Sequence, residues 1–138
     1  MALIYSELNH MGTEAPTVVV VDNSPAIKKL FQRSIKDLGV ELKFFDTAAD
    51  SWHYLEDNQP DLLFLSIILP DKNGLSLLKD LRKLALHQNT SVIMVSSKDY
   101  AQDKLDADEL GVVGFITKPM PIQIITDAVI KYTTNTSN

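Results

Sequence analysis

The 138-residue chain contains no cysteine and no long apolar run. Without cysteine there is no disulfide framework, no thiolate metal ligand and no thiol nucleophile. No apolar run approaches the roughly 18 residues that a membrane-spanning helix needs. Residues 1–16 lack the basic flank and the apolar core of a signal peptide. We therefore expect a cytoplasmic protein that folds without disulfide bonds.

The chain is also short of basic residues, with 13 Lys and Arg against 18 Asp and Glu and a net charge of -5. A surface of that sign repels phosphate backbones and anionic lipid headgroups, so we expect no nucleic-acid partner and no membrane partner. The composition, 45% hydrophobic and 22% charged, is ordinary for one soluble globular domain. A chain of this length can bury a core large enough to need no covalent staple.

Short apolar runs alternate with segments of helical periodicity along most of the chain. Because parallel strands joined by helices pair through right-handed crossovers, this alternation predicts a doubly wound α/β sheet. We expect residues 1–16 to be an N-terminal extension, 17–132 the domain and 133–138 a polar tail. The expected strands are 17–21, 40–45, 61–67, 91–95 and 112–117, and the expected helices are 25–38, a segment after Thr47, 75–84, 99–110 and 121–132.

Polar residues stand where the predicted strands end. Asp22 and Asn23 follow the first strand, Ser66 lies near the end of the third, Ser96 follows the fourth and Lys118 follows the fifth. In open α/β sheets ligands bind at the carboxyl ends of the strands, close to the switch in strand order. These side chains therefore form the candidate site. The chain has no glycine-rich phosphate loop of either common type.

Four short motifs, in this order along the chain, resemble the response-regulator receiver family. They are Asp22-Asn23 after the first strand, the loop at 69–74, Ser96 after the fourth strand, and Phe115 with Lys118-Pro119 around the end of the fifth. The resemblance covers residues 17–132. It implies a flavodoxin-like (βα)5 sandwich like that of chemotaxis regulators, with a parallel sheet in the order 2-1-3-4-5. It also implies a role in two-component or phosphorelay signalling, and not an enzyme.

Ser66 stands where the receiver family has the aspartate that accepts a phosphoryl group from a histidine kinase. Because a serine hydroxyl cannot form an acyl phosphate, the resemblance implies an atypical receiver, or pseudo-receiver. We expect Ser66 to fill the space of the aspartate and to hydrogen-bond Lys118 or a backbone amide. A serine nucleophile would need a base within hydrogen-bond reach. His10, His53 and His87 are not predicted to lie near this strand end.

The resemblance implies a Mg²⁺ site built from an acidic pair, the phosphoacceptor and the carbonyl two residues beyond it. Here these positions are Asp22, Asn23, Ser66 and the carbonyl of Ile68, so one carboxylate of three remains. Magnesium prefers several hard oxygen ligands that carry charge. We therefore expect no cofactor, or Mg²⁺ bound at most weakly, and an ion pair between Asp22 and Lys118.

Four further residues match the phosphoryl pocket and the switch of the family: Ser96, Phe115, Lys118 and Pro119. By resemblance, the hydroxyl and the ammonium contact the phosphoryl group, the aromatic ring moves between exposed and buried positions, and the bond before the proline is cis. Without a phosphoryl group, Ser96 and Phe115 can equally be packing residues.

Two functions from different classes stay open. The first is an interaction module that binds a signalling partner, or a second copy of itself, through the last two helices and the fifth strand. The second is a receiver that keeps weak Mg²⁺-dependent phosphorylation at a non-standard residue such as Asp71. Because Asp71 lies five residues beyond Ser66 on a loop, it is misplaced for the pocket. The sequence identifies neither the upstream kinase nor the partner.

Overall fold

The computed structural model describes residues 15–133 of the chain. Over these residues five strands alternate with five α-helices, and a short 3₁₀ helix, Ala85–His87, precedes the fourth strand. The strands pair in parallel in the order β2-β1-β3-β4-β5, which confirms the expected topology. The elements are β1 Thr17–Val21, α1 Pro25–Ser34, β2 Glu41–Phe45, α2 Ala48–Leu55, β3 Leu62–Ser66, α3 Gly74–Arg82, β4 Val92–Ser96, α4 Ala101–Glu109, β5 Gly114–Thr117 and α5 Ile122–Thr133.

The three central strands, β1, β3 and β4, are buried almost throughout, because helices cover both faces of the sheet. On one face α1 and α5 pack against the sheet, with Phe31 and Ile125 fully buried. The ring of Phe31 meets that of Phe64 edge to face, at 4.7 Å between centroids. On the other face α2, α3 and α4 supply Leu55, Leu78 and Ala107. The two layers fix the strand ends relative to one another.

Side chains cap the helices that lead away from the strand ends. Ser24 accepts from Ile27 N at 3.4 Å, and Thr47 accepts from Asp50 N at 3.0 Å, as is usual for Ser and Thr at helix N-caps. Asn73 caps α3 by accepting from Leu75 N at 2.8 Å. The three caps set where each helix begins.

Helix α1 is shorter than the apolar spacing predicts, because it ends at Ser34 and not near Leu38. The Ser34 hydroxyl donates to Leu30 O at 2.7 Å, and the chain then continues in turns, with Leu38 N donating to Ile35 O. Gly39 follows with a φ of +70°, a conformation that glycine adopts without strain.

Other boundaries differ by at most two residues. On α5, Ile124 is exposed while Ile125 and Val129 are fully buried. The structure does not describe residues 1–14 of the expected extension or residues 134–138 of the expected tail. Pro16, the last residue of the expected extension, accepts a hydrogen bond from Glu41 N at 2.7 Å. Thr133, the first residue of the expected tail, belongs to α5. Within residues 15–133, none of the helices combines the length and the apolarity that a membrane crossing requires.

Candidate functional site at the strand ends

The polar residues predicted from the sequence meet at the carboxyl edge of the sheet. The ladder continues past the strand ends, because Asp22 N donates to Phe45 O at 3.0 Å and Lys118 N donates to Ser96 O at 2.8 Å. Ser66 lies between them at the end of β3, next to the crossover from β1. Asp22, Ser66 and Ser96 are all buried. The fold therefore brings the predicted side chains together.

Asp22 has both carboxylate oxygens occupied. Its Oδ2 lies 3.0 Å from Lys118 Nζ, and its Oδ1 accepts from Ser24 N at 2.9 Å. The carboxylate is 4% exposed and the ammonium side chain 23%, so the pair lies in a recess that water reaches only from one side. The expected ion pair is confirmed, and the bond between Lys118 and Pro119 is cis, as the resemblance implies.

Ser66 makes a different contact from the one expected. Its hydroxyl donates to Ile68 O at 3.3 Å, so the expectation of a bond to Lys118 or to a backbone amide was wrong. The reason is local, because Ile68 forms an antiparallel bridge with Asn73 that folds the loop back over the end of β3. On the inner side of Ser66, Phe64 and Met120 pack too closely to leave room for a water molecule.

Gly74 holds this loop close to the strand end. Its N–H donates to Ile67 O at 2.7 Å, and a Cβ added at Gly74 would lie only 2.0 Å from the carbonyl oxygen of Ser66. A side chain at this position would therefore force the loop away from β3. The sequence places Gly74 at the end of the loop at 69–74 but gives no signal of this close approach.

Asp71, the alternative acceptor, is bound to the start of α2. Its Oδ1 accepts from Ala48 N at 2.9 Å and its Oδ2 from Ala49 N at 3.0 Å, so it caps the first turn of α2. The hydrogen bonds from Ala48 and then Ala49 lower the pKa of Asp71. The sequence could not predict this cap, since Asp71 follows Ala48 by 23 positions and belongs to another loop.

Ser96 and Phe115 are tied to the segment between β4 and α4. The Ser96 hydroxyl accepts from Lys98 N at 3.0 Å. Lys104 places its ammonium 5.9 Å from the centre of the half-buried Phe115 ring and also pairs with Asp99. These contacts hold the start of α4 against β5.

The oxygen donors at the strand ends are a poor fit for Mg²⁺. Among the predicted ligands Asp22, Asn23, Ser66 and Ile68, only Asp22 is a carboxylate; Asn23 is exposed and neutral, and Ile68 O accepts from Ser66. In the part of the chain that the structure describes, no group of three or more His, Cys, Asp or Glu could hold a metal ion. Magnesium needs several hard oxygens with enough charge to offset the loss of its water.

Neither His53 nor His87, the two histidines within residues 15–133, is in contact with Ser66. His53 is exposed on α2. His87 is buried, with Nδ1 2.8 Å from Thr90 Oγ1 and Nε2 2.6 Å from Leu55 O. His10 lies outside the described residues.

Comparison with known proteins identifies relatives of this chain. A family model described as "response regulator receiver domain" matches residues 18–130. The chain is 26% identical over 115 residues to the DNA-binding transcriptional regulator NtrC of Azospirillum brasilense, across 83% of this chain and 24% of that protein. It is 31% identical over 102 residues to the transcriptional regulatory protein DltR of Streptococcus agalactiae, across 74% and 45%. The chain thus spans less than half the length of these curated relatives.

Solved structures share the fold. The phosphorylated cyanobacterial phytochrome response regulator RcpA superposes with a TM-score of 0.80 at 20% identity, covering 87% of this chain and 95% of that one. A CheY-like receiver domain protein from Methanospirillum hungatei superposes with a TM-score of 0.77 at 22% identity, covering 85% and 92%. At these identities the likeness concerns the fold.

Proposed function

This chain belongs to the response regulator receiver domain family, and we propose that it signals through protein contacts without being phosphorylated on aspartate. It is a pseudo-receiver in this proposal, with Ser66 in the place of the phosphoacceptor. The observation that carries the proposal is the closed set of contacts at the strand ends. Asp22 pairs with Lys118, and Ser66 donates to Ile68 O, so the groups that would take a metal and a phosphoryl group bind one another.

Phosphoryl transfer between an anionic donor and an anionic acceptor relies on a metal ion to offset the charge. With one carboxylate and no aspartyl acceptor, this chain lacks both requirements. A modification drives a conformational switch only by stabilising one state more than the other. We therefore propose that Ser96, Phe115 and Lys118 serve as packing and pairing residues here.

Because Asn23 and Ser66 replace two carboxylates of the family, the fold also needs no metal ion to offset repulsion between them. Three carboxylates about 5 Å apart repel one another by roughly 3 kcal/mol per pair at an effective dielectric constant of 20. Asp22 alone has no such neighbours and is offset by Lys118. The metal-free fold is the working state in this proposal, and Mg²⁺ binds weakly if at all.

The partner surface that we propose is formed by α4, β5, α5 and the segments that join them. Large apolar side chains are exposed there, although most of the chain buries such residues. Apolar groups gathered on one side of a soluble domain mark an interaction surface. A signalling partner or a second copy of the chain would cover them. They are Tyr100, Leu105, Val113, Ile122 and Ile124.

The alternative, weak phosphorylation at Asp71, has no support from the geometry. Both oxygens of Asp71 accept from backbone amides of α2, and the residue faces that helix. Phosphorylation there would remove the cap of α2.

The proposal is tested by capture of the partner from a cell extract on the immobilised chain, with and without acetyl phosphate and Mg²⁺. We expect the same partner in equal amount under both conditions. Leu105→Glu should abolish capture, whereas Leu86→Glu, which changes an exposed leucine of the 3₁₀ helix, should leave it intact. Capture that requires the phosphodonor, or that survives Leu105→Glu, contradicts the proposal.

A further inference from the structure

A cavity of about 600 Å³ lies between α2 and α3, closed at one end by the loop that follows β3. Asp22, Ser66, Ser96 and Lys118 do not line it, so it is distinct from the strand-end site. Its volume falls within the range of about 300–1,000 Å³ that small-molecule sites occupy. The cavity is therefore large enough for an organic ligand of modest size.

The floor of the cavity is apolar. Trp52 on α2 and Leu84, just beyond α3, line it together with the almost fully buried Ala48 and Leu77. Trp52 and Leu84 are half-buried, so part of each side chain remains available to a ligand. An indole ring offers a flat apolar surface against which another ring can pack.

The rim of the cavity carries charges of both signs, and Lys72 is paired more closely than Lys83. Asp80 contacts the ammonium of Lys72, and its second oxygen lies 3.8 Å from Lys83 Nζ. Hydrogen bonding from Lys72, and then the charges of Lys72 and Lys83, lower the pKa of Asp80, so this carboxylate is ionised. One carboxylate thus faces two ammonium groups.

The other rim carboxylate, Asp71, accepts two backbone N–H bonds at the N-terminus of α2, where the helix dipole favours a negative charge. After those hydrogen bonds, the charge of Lys72 also lowers the pKa of Asp71, so the rim carries two carboxylates and two ammonium groups. Lys83 is 73% exposed and makes only the long contact to Asp80. Lys83 is therefore the rim ammonium that is held least closely, and it lies next to an apolar floor.

We propose that the α2–α3 cavity binds a small amphiphilic organic anion. Its apolar or aromatic body packs against Trp52 and Leu84, and its single anionic group lies at Lys83, with Lys72 nearby. An apolar ligand without charge would leave Lys83 with only its long contact to Asp80, and a fully polar ligand would gain nothing from the apolar floor. Asp22, Ser66, Ser96, Phe115 and Lys118 do not line this cavity, so the proposed ligand site is separate from the strand-end site.

Trp52 makes the test direct, because it is the single tryptophan of the chain and it lines the cavity. The probe is anilinonaphthalene sulfonate, which joins an aromatic body to one negative charge, and the matched probe is the uncharged phenylnaphthylamine. We expect the sulfonate to quench Trp52 emission through energy transfer and to saturate at one molecule per chain. The uncharged probe should bind about two- to fivefold more weakly, as expected for loss of one exposed ion pair.

Two pairs of variants locate the probe. Lys83→Glu should weaken sulfonate binding about three- to tenfold, whereas Lys29→Glu, an exposed lysine of α1 on the opposite face, should not. Ala49→Phe, which fills the cavity from its exposed rim, should abolish binding, whereas Ala101→Phe on α4 should not. Ser66→Ala should leave binding unchanged, which separates this proposal from the one about the receiver site.

Equal affinity for both probes, or equal binding by Lys83→Glu and Lys29→Glu, overturns the proposal. Sedimentation that shows a dimer, in which Trp52 is buried and the probe is excluded, also overturns the proposal, because a second copy of the chain then occupies the cavity. Probe that binds without quenching Trp52 lies elsewhere on the chain and also overturns it.

Discussion

Lys118 Nζ lies 3.0 Å from Asp22 Oδ2, and this contact neutralises the one carboxylate buried at the strand ends. Because Ser24 N donates to the other oxygen of Asp22, each carboxylate oxygen already has a partner. A metal ion would compete with the lysine for this carboxylate. The pair therefore sets the resting state of the site.

Replacing the lysine should destabilise the fold. In Lys118→Met the Asp22 carboxylate stays buried without its counter-ion, so we expect a loss of about 3 kcal/mol in the free energy of unfolding. Lys98→Met, which changes an exposed lysine next to the same site, should cost less than about 0.5 kcal/mol. Urea unfolding followed by circular dichroism measures both.

The double variant Asp22→Asn with Lys118→Met completes this test. With both charges gone, most of the lost stability should return, because replacing both members of a buried pair is often close to neutral. A double variant as unstable as Lys118→Met alone would show that the lysine acts through packing and not through its charge.

Magnesium should bind weakly. With one carboxylate, already paired, and a neutral amide at Asn23, we expect a dissociation constant of about 1 mM or weaker. Beryllofluoride should not bind, since there is no aspartyl oxygen to carry it. Isothermal titration calorimetry provides the check, and a metal site tighter than about 100 μM would be incompatible with the donor set described above.

Asp71 should contribute stability that depends on pH. Hydrogen bonds from Ala48 and Ala49 lower its pKa below the ordinary value of 3.8. A lowered pKa in the folded state stabilises the fold above the unfolded value, and the gain is lost as the pH falls through the folded value. Asp71→Asn should thus be less stable than the native chain at neutral pH, and the difference should shrink below pH 3.8.

Thermal unfolding of both proteins between neutral and acidic pH measures that difference. Asp57→Asn, at an exposed position just beyond the other end of α2, is the matched control and should follow the native curve. A constant difference at every pH would mean that Asp71 acts without its charge.

Gly74→Ala should disturb the loop over Ser66. The added Cβ would meet Ser66 O at 2.0 Å, and the loop must move to relieve that contact. We expect a loss of about 1–3 kcal/mol or more, as for overpacked interiors. Gly39→Ala, where a Cβ meets open space, should cost only the 1–2 kcal/mol or so of its left-handed backbone. Chemical denaturation ranks the two, and a smaller loss at Gly74 would contradict the close approach.

The sequence predicted the sheet and the members of the site because both follow from local patterns. The apolar runs of β1, β3 and β4 need cover on both faces, and this requirement fixes the doubly wound arrangement. The polar residues that end those strands then have to meet at one edge. The pair of Asp22 with Lys118 follows, since a recessed ammonium needs a partner.

The remaining features depend on contacts between distant segments. Asp71 caps a helix that begins 23 positions earlier, and no local pattern indicates that pairing. The turn of Ile68 O toward Ser66 follows from the bridge between Ile68 and Asn73, which the sequence does not reveal. Helix α1 ends at Ser34 because the chain turns there, although the apolar residues beyond Ser34 keep a spacing that is typical of a helix.

Restoring an aspartate at position 66, the phosphoacceptor position of the family, tests the account most directly. The intact mass of the native chain, of Ser66→Asp and of Ser66→Asp with Asn23→Asp would be followed during incubation with acetyl phosphate and Mg²⁺. We expect no added phosphoryl group on the native chain, slow addition at most on the single variant, and much faster addition on the double variant, because only the latter regains the acidic pair that binds Mg²⁺. The double variant should also melt lower without Mg²⁺ than with it, since the repulsion among carboxylates returns. Phosphorylation of the native chain, or equal rates for the single and double variants, would contradict the account.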